Sequence, residues 1–303
     1  MRYNRFLESH LLNILNNFDA GKDKADIFLK KYFKGTNLGK RDRTWIRDRF
    51  FFYMRHRLLF DRIMEMRTDL CVVIAMLYEN EPDEELNKLI DEIKKKGEFD
   101  ILFDHSFPIF LKNKIKEMYG DKYYKWFNSQ SEIVLRTNFR KIEKETLMSK
   151  LSEDGYSVFP TEISPAGIIV ENSSSNLKNS PLFQNGLFEF QDESSQLATL
   201  LINRTFNTFF DACAGSGGKS LAAATFFPHI QITISDIREH LFKEIRSRSK
   251  RSGTVIDTIK YQETEDKLFD TVFIDAPCSG SGVLRRNPCD RWTINEKNIK
   301  DII

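Results

Sequence analysis

The sequence is short of cysteine, of long apolar runs and of any excess of charge. Only four cysteines occur in 303 residues, Cys71, Cys213, Cys278 and Cys289. None sits in a CxxC pair or at ligand spacing from histidine, which excludes a sequence-encoded zinc site or disulfide framework and implies reduced thiols. The longest apolar run, LCVVIAMLY at 70–78, is far shorter than a bilayer-spanning helix, and no signal-like leader opens the chain. A cytoplasmic, monomeric chain with no metal and no membrane partner is therefore expected. With 30% charged residues but a net charge of +2, the chain is not a polybasic tail that binds nucleic acid by charge alone.

Charge is unevenly spread. Up to about residue 67 basic residues outnumber acidic ones roughly two to one, and the balance reverses between 69 and 104. The cluster LGKRDRTWIRDRFFFYMRHRLLF has two readings, a solvated helix face or a phosphate-contacting surface in which arginines alternate with aromatics. Apolar positions at three- and four-residue spacing predict helices throughout 1–103, broken at GTNLGK and NEPDEE. Residues 104–195 alternate between helix and strand: FLKNKIKEMY, strand-like IVLRTNF, helical ETLMSKLSEDG, then short strands at YSVFP and GIIVE before a polar NSSSNLKNS loop. This pattern predicts a small α+β module closed by GLFEFQDESSQLATLLI, in which QDESSQ marks a helix start. From 196 to 303 strands and helices alternate regularly. Short apolar runs between turn signals predict a doubly wound, Rossmann-like α/β domain with a parallel sheet of four strands, TFNTFFD, HIQITISD, TVIDTIKY and KLFDTVFID.

The turn after the first of these strands is DACAGSGGKS, 211–220. A glycine-rich turn between strand and helix lets backbone approach a ligand, and three ligands compete for it. A P-loop needs a glycine where Cys213 stands, and a dinucleotide site needs one where Ser220 stands. S-adenosylmethionine carries a sulfonium cation and no phosphate, so it suits carboxylates such as Asp211 and Asp236, the latter ending the second strand. A purely structural turn remains the fourth option.

The fourth strand decides among them. It runs into Asp275-Ala276-Pro277-Cys278, where the proline fixes the chain direction and the thiol projects from the carboxyl end of a strand. A nucleotidase acid has no use for a following proline and cysteine. Cytosine accepts a methyl group at carbon 5 only after a nucleophile adds at carbon 6, and thiolate is the natural nucleophile near neutral pH. Lys219, Arg285 and Arg286 are candidate sources of a positive field that favours thiolate and holds phosphate.

With these residues in view the chain resembles the RsmB/Sun-type RNA (cytosine-5) methyltransferases. The resemblance runs over nearly the whole sequence: LGKRDR, SFP, IVLRTN, FQDESSQLA, DACAGSGGKS, ITISD and, most specific, DAPCSGSGVLRRNP followed by Trp292. It implies a class I methyltransferase fold in which Cys213, Ala214, Gly215, Ser216, Gly217, Gly218, Lys219, Asp236 and Asp275 contact S-adenosylmethionine. It also implies an RNA-recognition-like middle module, an abbreviated NusB-like helical region, and structured RNA, chiefly ribosomal, as substrate. Arg41, Arg43, Arg285 and Arg286 are the candidate RNA contacts, and Asp275 and Cys278 the catalytic pair.

Two features depart from the family pattern. Its nucleophile is a later Thr-Cys pair, the cysteine matching Cys278 being the one that helps release product, and no Thr-Cys dipeptide occurs in these 303 residues. Cys289 stands where the family has an acid, too close to Cys278 to replace the pair. The acid expected to contact adenine after the third strand is open among Asp257, Gln262 and Glu263. A fourth strand left as an apolar edge, and a helical NEKNIKDII without a stop signal, lead us to expect part of a longer enzyme, inactive alone. The alternatives are a noncatalytic RNA-binding or assembly factor that keeps the fold and, from the GKS triplet, a P-loop nucleotidase.

Overall fold

The computed structural model describes residues 5–171, 177–202, 206–264 and 266–300. Packing groups them into two compact units, one of residues 1–131 with 278–303 and one of 132–277. Residues 172–176 of the polar NSSSNLKNS loop and residues 301–303 of the terminal segment lie outside the described residues.

The first unit is helical. Its elements are α1 (Arg5–Asn17), α2 (Ala25–Lys34), α3 (Lys40–Arg55), α4 (Arg57–Met64), α5 (Leu70–Glu79), α6 (Glu84–Lys95), α7 (Phe99–Phe103), α8 (Ile109–Tyr119) and α9 (Tyr124–Asn128). Apolar spacing forms them: Leu7, Leu11 and Ile14 of α1, and Leu86, Ile90 and Ile93 of α6, are the buried stripes. In NEPDEE, Asp83 accepts the Leu86 N–H at 2.7 Å and caps α6, while Glu84 and Glu85 face its positive end. LGKRDR is likewise a helix start, with the Asp42 carboxylate accepting the Gly39 N–H and Arg43 donating to the Leu38 carbonyl at 2.8 Å. The apolar run at 70–78 becomes α5, buried through Cys71, Val73, Ile74, Ala75 and Met76.

The second unit holds two sheets. β1 (Ile133–Thr137), α10 (Lys144–Glu153), β2 (Ser157–Pro160), β3 (Gly167–Glu171), α11 (Pro181–Gln184) and β4 (Phe188–Phe190) form a module with strand order β2-β3-β1-β4, every pairing antiparallel. Its core is Leu135, Leu147, Leu151, Ile168, Val170, Leu177 and Phe188. The strand β4, formed by FEF, is only three residues long and is an addition to the expected elements.

After α12 (Glu193–Leu200) come β5 (Thr208–Asp211), α13 (Gly218–Phe226), β6 (Gln231–Ile234), α14 (Phe242–Ser252), β7 (Asp257–Thr258) and β8 (Thr271–Phe273). The sheet order is β7-β6-β5-β8 with all pairings parallel, the first four positions of a doubly wound sheet. The expected third strand is present but only two residues long. Among the described residues β8 is an edge strand, with Val272 53% and Ile274 68% exposed, as its apolar sequence led us to expect. In the first unit a final short helix, α15 (Glu296–Lys300), follows the DAPC block.

Candidate cofactor loop and catalytic block

The glycine turn joins β5 to α13 at the carboxyl end of the parallel sheet. Gly217 has φ +79°, a conformation that strains any other residue, and a Cβ there would crowd the Ile245 side chain of α14 at 3.2 Å. Gly215 also has positive φ, +56°, and its N–H donates to Asp236 Oδ2 at 2.7 Å. The strand-end acid thus clasps the loop.

Three carboxylates surround this turn, each held differently. Asp211 is buried, accepts the Ser220 hydroxyl at 2.6 Å and the Cys213 N–H at 3.3 Å, and burial pushes its pKa up to about 6. Asp236 accepts four donors: the N–H and Nε of Arg238 on Oδ1, and the Gly215 N–H and Arg238 Nη2 on Oδ2. Hydrogen bonds from the Arg238 side chain lead the causes that hold its pKa down at about 2. Its lone-pair sites are filled, so a ligand hydroxyl reaches Asp236 only as Arg238, itself 55% exposed, swings away. Asp275, beyond β8, pairs with Lys219 of the turn. The Cys213 thiol stands among the three, and burial, then the charges of Asp211, Asp236 and Asp275, push its pKa up.

The antiparallel module supports the turn from behind. Arg136 of β1 is 1% exposed and donates to the Gly218 carbonyl at 3.0 Å and to Gln191, whose amide reaches the same carbonyl at 3.2 Å. Arg248 of α14 donates to the Ser216 carbonyl at 2.7 Å and its hydroxyl at 2.9 Å. The other end of Arg248 is held at 3.0 Å by Glu189 of β4, which also pairs with Arg251. FQDESSQ continues the support. Glu193 accepts the Ile163 and Ser164 N–H groups, and the fully buried Gln196 accepts from Ser164 and donates to the carbonyls of Leu135 and Gln191. Sequence reading missed Arg136, Glu189, Gln191, Gln196 and Arg248 as site residues. The usable signal was a charge in the middle of an apolar strand, in IVLRTN and again in FEF, which points inward only when paired.

The block after Pro277 packs in the helical unit. Cys278 is exposed. Cys289 is 2% exposed in the helical core, and burial drives its thiol pKa upward. Arg285 lies 4.4 Å over the Trp126 ring and donates to Ser129 and Gln130, so its guanidinium is engaged within the fold. Arg286 is exposed. Arg291 is fully buried over Phe107 and donates to the carbonyls of Arg55, Ser106 and Leu284 and to Asn128. Trp292 donates to the Met54 carbonyl at 2.9 Å.

The basic-aromatic cluster divides along α3. Arg49 is buried between Trp45 and Tyr78 and pairs with Glu79, while Phe50 is fully buried. Arg41 and Arg43 are exposed, though the Arg43 Nε is committed to Leu38. The aromatics of this stretch therefore serve the core, and only its outward cations face solvent. Of the open choices for an adenine contact, Asp257 lies in β7 and Gln262 and Glu263 in the turn after it, all exposed.

Residues 198–303 match the family model described as 16S rRNA methyltransferase RsmB/F, and residues 107–176 match that of an RsmF/B-like ferredoxin-like domain. The protein named "Probable ribosomal RNA small subunit methyltransferase B" of Bacillus subtilis is 34% identical over 168 residues, 52% of this chain and 37% of that protein. Its namesake in Coxiella burnetii is 28% identical over 224 residues, 67% of this chain and 52% of that protein. Ribosomal RNA small subunit methyltransferase B of an Escherichia coli strain is 27% identical over 206 residues, 64% and 48% of the two chains. This chain thus spans about half the length of these relatives, or less. Among solved structures, that titled PH0851 superposes with a TM-score of 0.72 at 20% identity, covering 98% of this chain and 78% of the other. NSun6 from Pyrococcus horikoshii, solved with SFG, superposes with a TM-score of 0.56 at 15% identity, covering 66% and 77%. The fold is that of a class I methyltransferase domain joined to a ferredoxin-like module, and the resemblance seen in the motifs holds.

Proposed function

We propose that this chain, of RsmB/Sun type, supplies the cofactor loop, RNA module and DAPC block of an enzyme that uses S-adenosylmethionine to methylate carbon 5 of cytosine in structured RNA. Small-subunit ribosomal RNA in the cytoplasm is the proposed substrate, in line with the names of the relatives. The observation that carries the reading is the run Asp275 to Cys278: an acid gripped by Lys219 of the glycine turn, then an exposed thiol three residues on.

The residues around the turn fit S-adenosylmethionine. Three carboxylates attract a sulfonium and repel phosphates, and the missing side chain at Gly215 leaves the space that a Cβ would take 3.7 Å from Arg238. SFG, found in one structural neighbour, is an analogue of this cofactor. The cofactor supplies an electrophilic methyl group. Asp236 accepts ribose hydroxyls once Arg238 leaves, Asp211 and Ser220 keep the turn in place, and Asp275 orients the amino edge of a cytosine flipped out of its stack. Cys278 acts in the elimination half of the cycle. The partition 1–103 helical, 104–195 RNA-recognition-like and 196–303 methyltransferase is the proposed division of labour, with Arg41, Arg43 and Arg286 on the RNA side and Arg285, held by Trp126, Ser129 and Gln130, positioning that segment.

A second reading is a noncatalytic RNA-binding factor that keeps the fold, which the lack of a Thr-Cys dipeptide within residues 1–303 allows. Mapping 5-methylcytosine in ribosomal RNA from cells with and without the gene separates the two, since a site lost with the gene supports the enzyme and an unchanged map supports the binding factor. In vitro, residues 1–303 are expected to bind labelled cofactor without transferring methyl to RNA. Turnover by these residues alone would overturn their assignment as a portion of the enzyme.

A further inference from the structure

At the opposite end of the parallel sheet from the glycine turn lies a cleft of about 360 Å³ lined by Arg140, Lys141, Pro228, Ser252 and Gly253. Pro228 leads from α13 into β6 and Gly253 from α14 into β7, so the cleft sits at the amino ends of the strands. Its two cations come from the loop after β1. Arg140 donates Nη1 to the Pro228 carbonyl at 3.0 Å, and Lys141 donates Nζ to the carbonyls of Asn185 at 2.8 Å and Arg251 at 2.7 Å.

The cations are fixed in place without being neutralised. Every one of these acceptors is an uncharged main-chain oxygen, and among the described residues neither cation forms an ion pair with a carboxylate. Asn138 fixes the floor by donating to the Gly186 and Ser252 carbonyls, both at 2.8 Å. Gly253 has φ +73°, which favours glycine, and a Cβ there would crowd the Lys141 side chain at 3.2 Å. Arg140 spends one N–H of five and Lys141 two of three on the protein. The remaining donors belong to two cations of one cleft that, among the described residues, pair with no carboxylate.

We propose that this cleft binds a phosphate group, carried by the backbone of the RNA substrate. A guanidinium beside an ammonium offers a fork and a point charge to the oxygens of one tetrahedral anion. The phosphate chemistry stands on the cleft alone, whereas RNA as its carrier rests on the function proposed above.

The test compares the full chain with Arg140→Gln, Lys141→Gln and the double variant. Binding of a 16S ribosomal RNA fragment is measured across a range of potassium chloride, and inorganic pyrophosphate is titrated while arginine side-chain N–H signals are followed by NMR. Loss of one phosphate contact is expected to lower the log–log salt slope of the double variant by about one, and Arg140→Gln is expected to weaken RNA binding while leaving the lysine clasp intact. Pyrophosphate binding lost in the variants while the RNA slope stays at the wild-type value keeps the phosphate site and removes RNA as its carrier. Wild-type behaviour of Arg140→Gln toward both ligands, with thermal unfolding unchanged, overturns the proposal even where Lys141→Gln fails to fold.

Discussion

Replacing Glu189 by glutamine tests how the ferredoxin-like module holds the cofactor turn. Glu189 is 4% exposed and is the shared partner of Arg248 and Arg251, and its charge also offsets that of Arg136, which is 1% exposed. Glutamine keeps the shape and one acceptor oxygen but leaves three guanidinium groups facing each other without a carboxylate. Breaking a buried pair from one side costs about 3–5 kcal/mol. For a unit of residues 132–277, 146 residues by 277 − 132 + 1, that corresponds to a melting shift of roughly 6–20 °C. The molecule contains its own control: Trp45, Trp126 and Trp292 all belong to the helical unit. Far-UV circular dichroism of Glu189→Gln is expected to lose its sheet component early while tryptophan emission keeps its wild-type midpoint. Adding Arg136→Met, which removes the most deeply buried of the unpaired charges, is expected to restore part of the loss. A Glu189→Gln protein within about 1 kcal/mol of wild type would refute the reasoning, because it would mean that the arginines are solvated well enough without their acid.

Two further outcomes follow from the carboxylates of the turn. Asp211 has a folded pKa of about 6 against 3.8 for an unperturbed aspartate, so its stabilising contribution is complete below pH 4 and is lost as pH rises through 6. The stability advantage of Asp211→Asn over wild type is expected to grow by about 3 kcal/mol between pH 4 and pH 8 in urea unfolding, and a difference independent of pH would show that the buried acid does not titrate there. For Arg238→Ala, removal of the guanidinium that saturates Asp236 is expected to tighten S-adenosylmethionine binding by up to about fivefold, near 1 kcal/mol, in a calorimetric titration. Weaker binding would place Arg238 on the ligand instead.

Much of this molecule was legible in its sequence because strand, turn and acid are local signals. DACAGSGGKS became a turn between β5 and α13, ITISD became β6 with its acid on the turn, and the four parallel strands appeared in the expected run. The basic cluster in α3 was harder, because its arginines and aromatics alternate in composition but separate by helical face. Arg49 went inward to Trp45 and Tyr78 while Arg41 stayed out. Least legible were contacts between residues far apart in sequence. Nothing near Glu189 announces Arg248, and nothing near Arg136 announces the Gly218 carbonyl, since these pairs exist only once two sheets are packed. The packing of the segment after Cys278 was illegible for the same reason: Leu284 and Ile294 join a core with Phe107, Leu111, Ile115 and Tyr124, which no local pattern connects.

The tail of the most diagnostic segment is an anchor. Beyond the exposed Cys278, the run RRNPCDRW spends Arg285 on Trp126, Cys289 on the helical core, Arg291 on four backbone or amide oxygens and Trp292 on the Met54 carbonyl. If Cys278 acts as proposed, a mutational scan scored only by product formed would assign those positions to chemistry, since unseating the anchor would displace the thiol. Scans of this segment therefore need a folding readout beside every activity, and a variant that fails both identifies mooring rather than reaction.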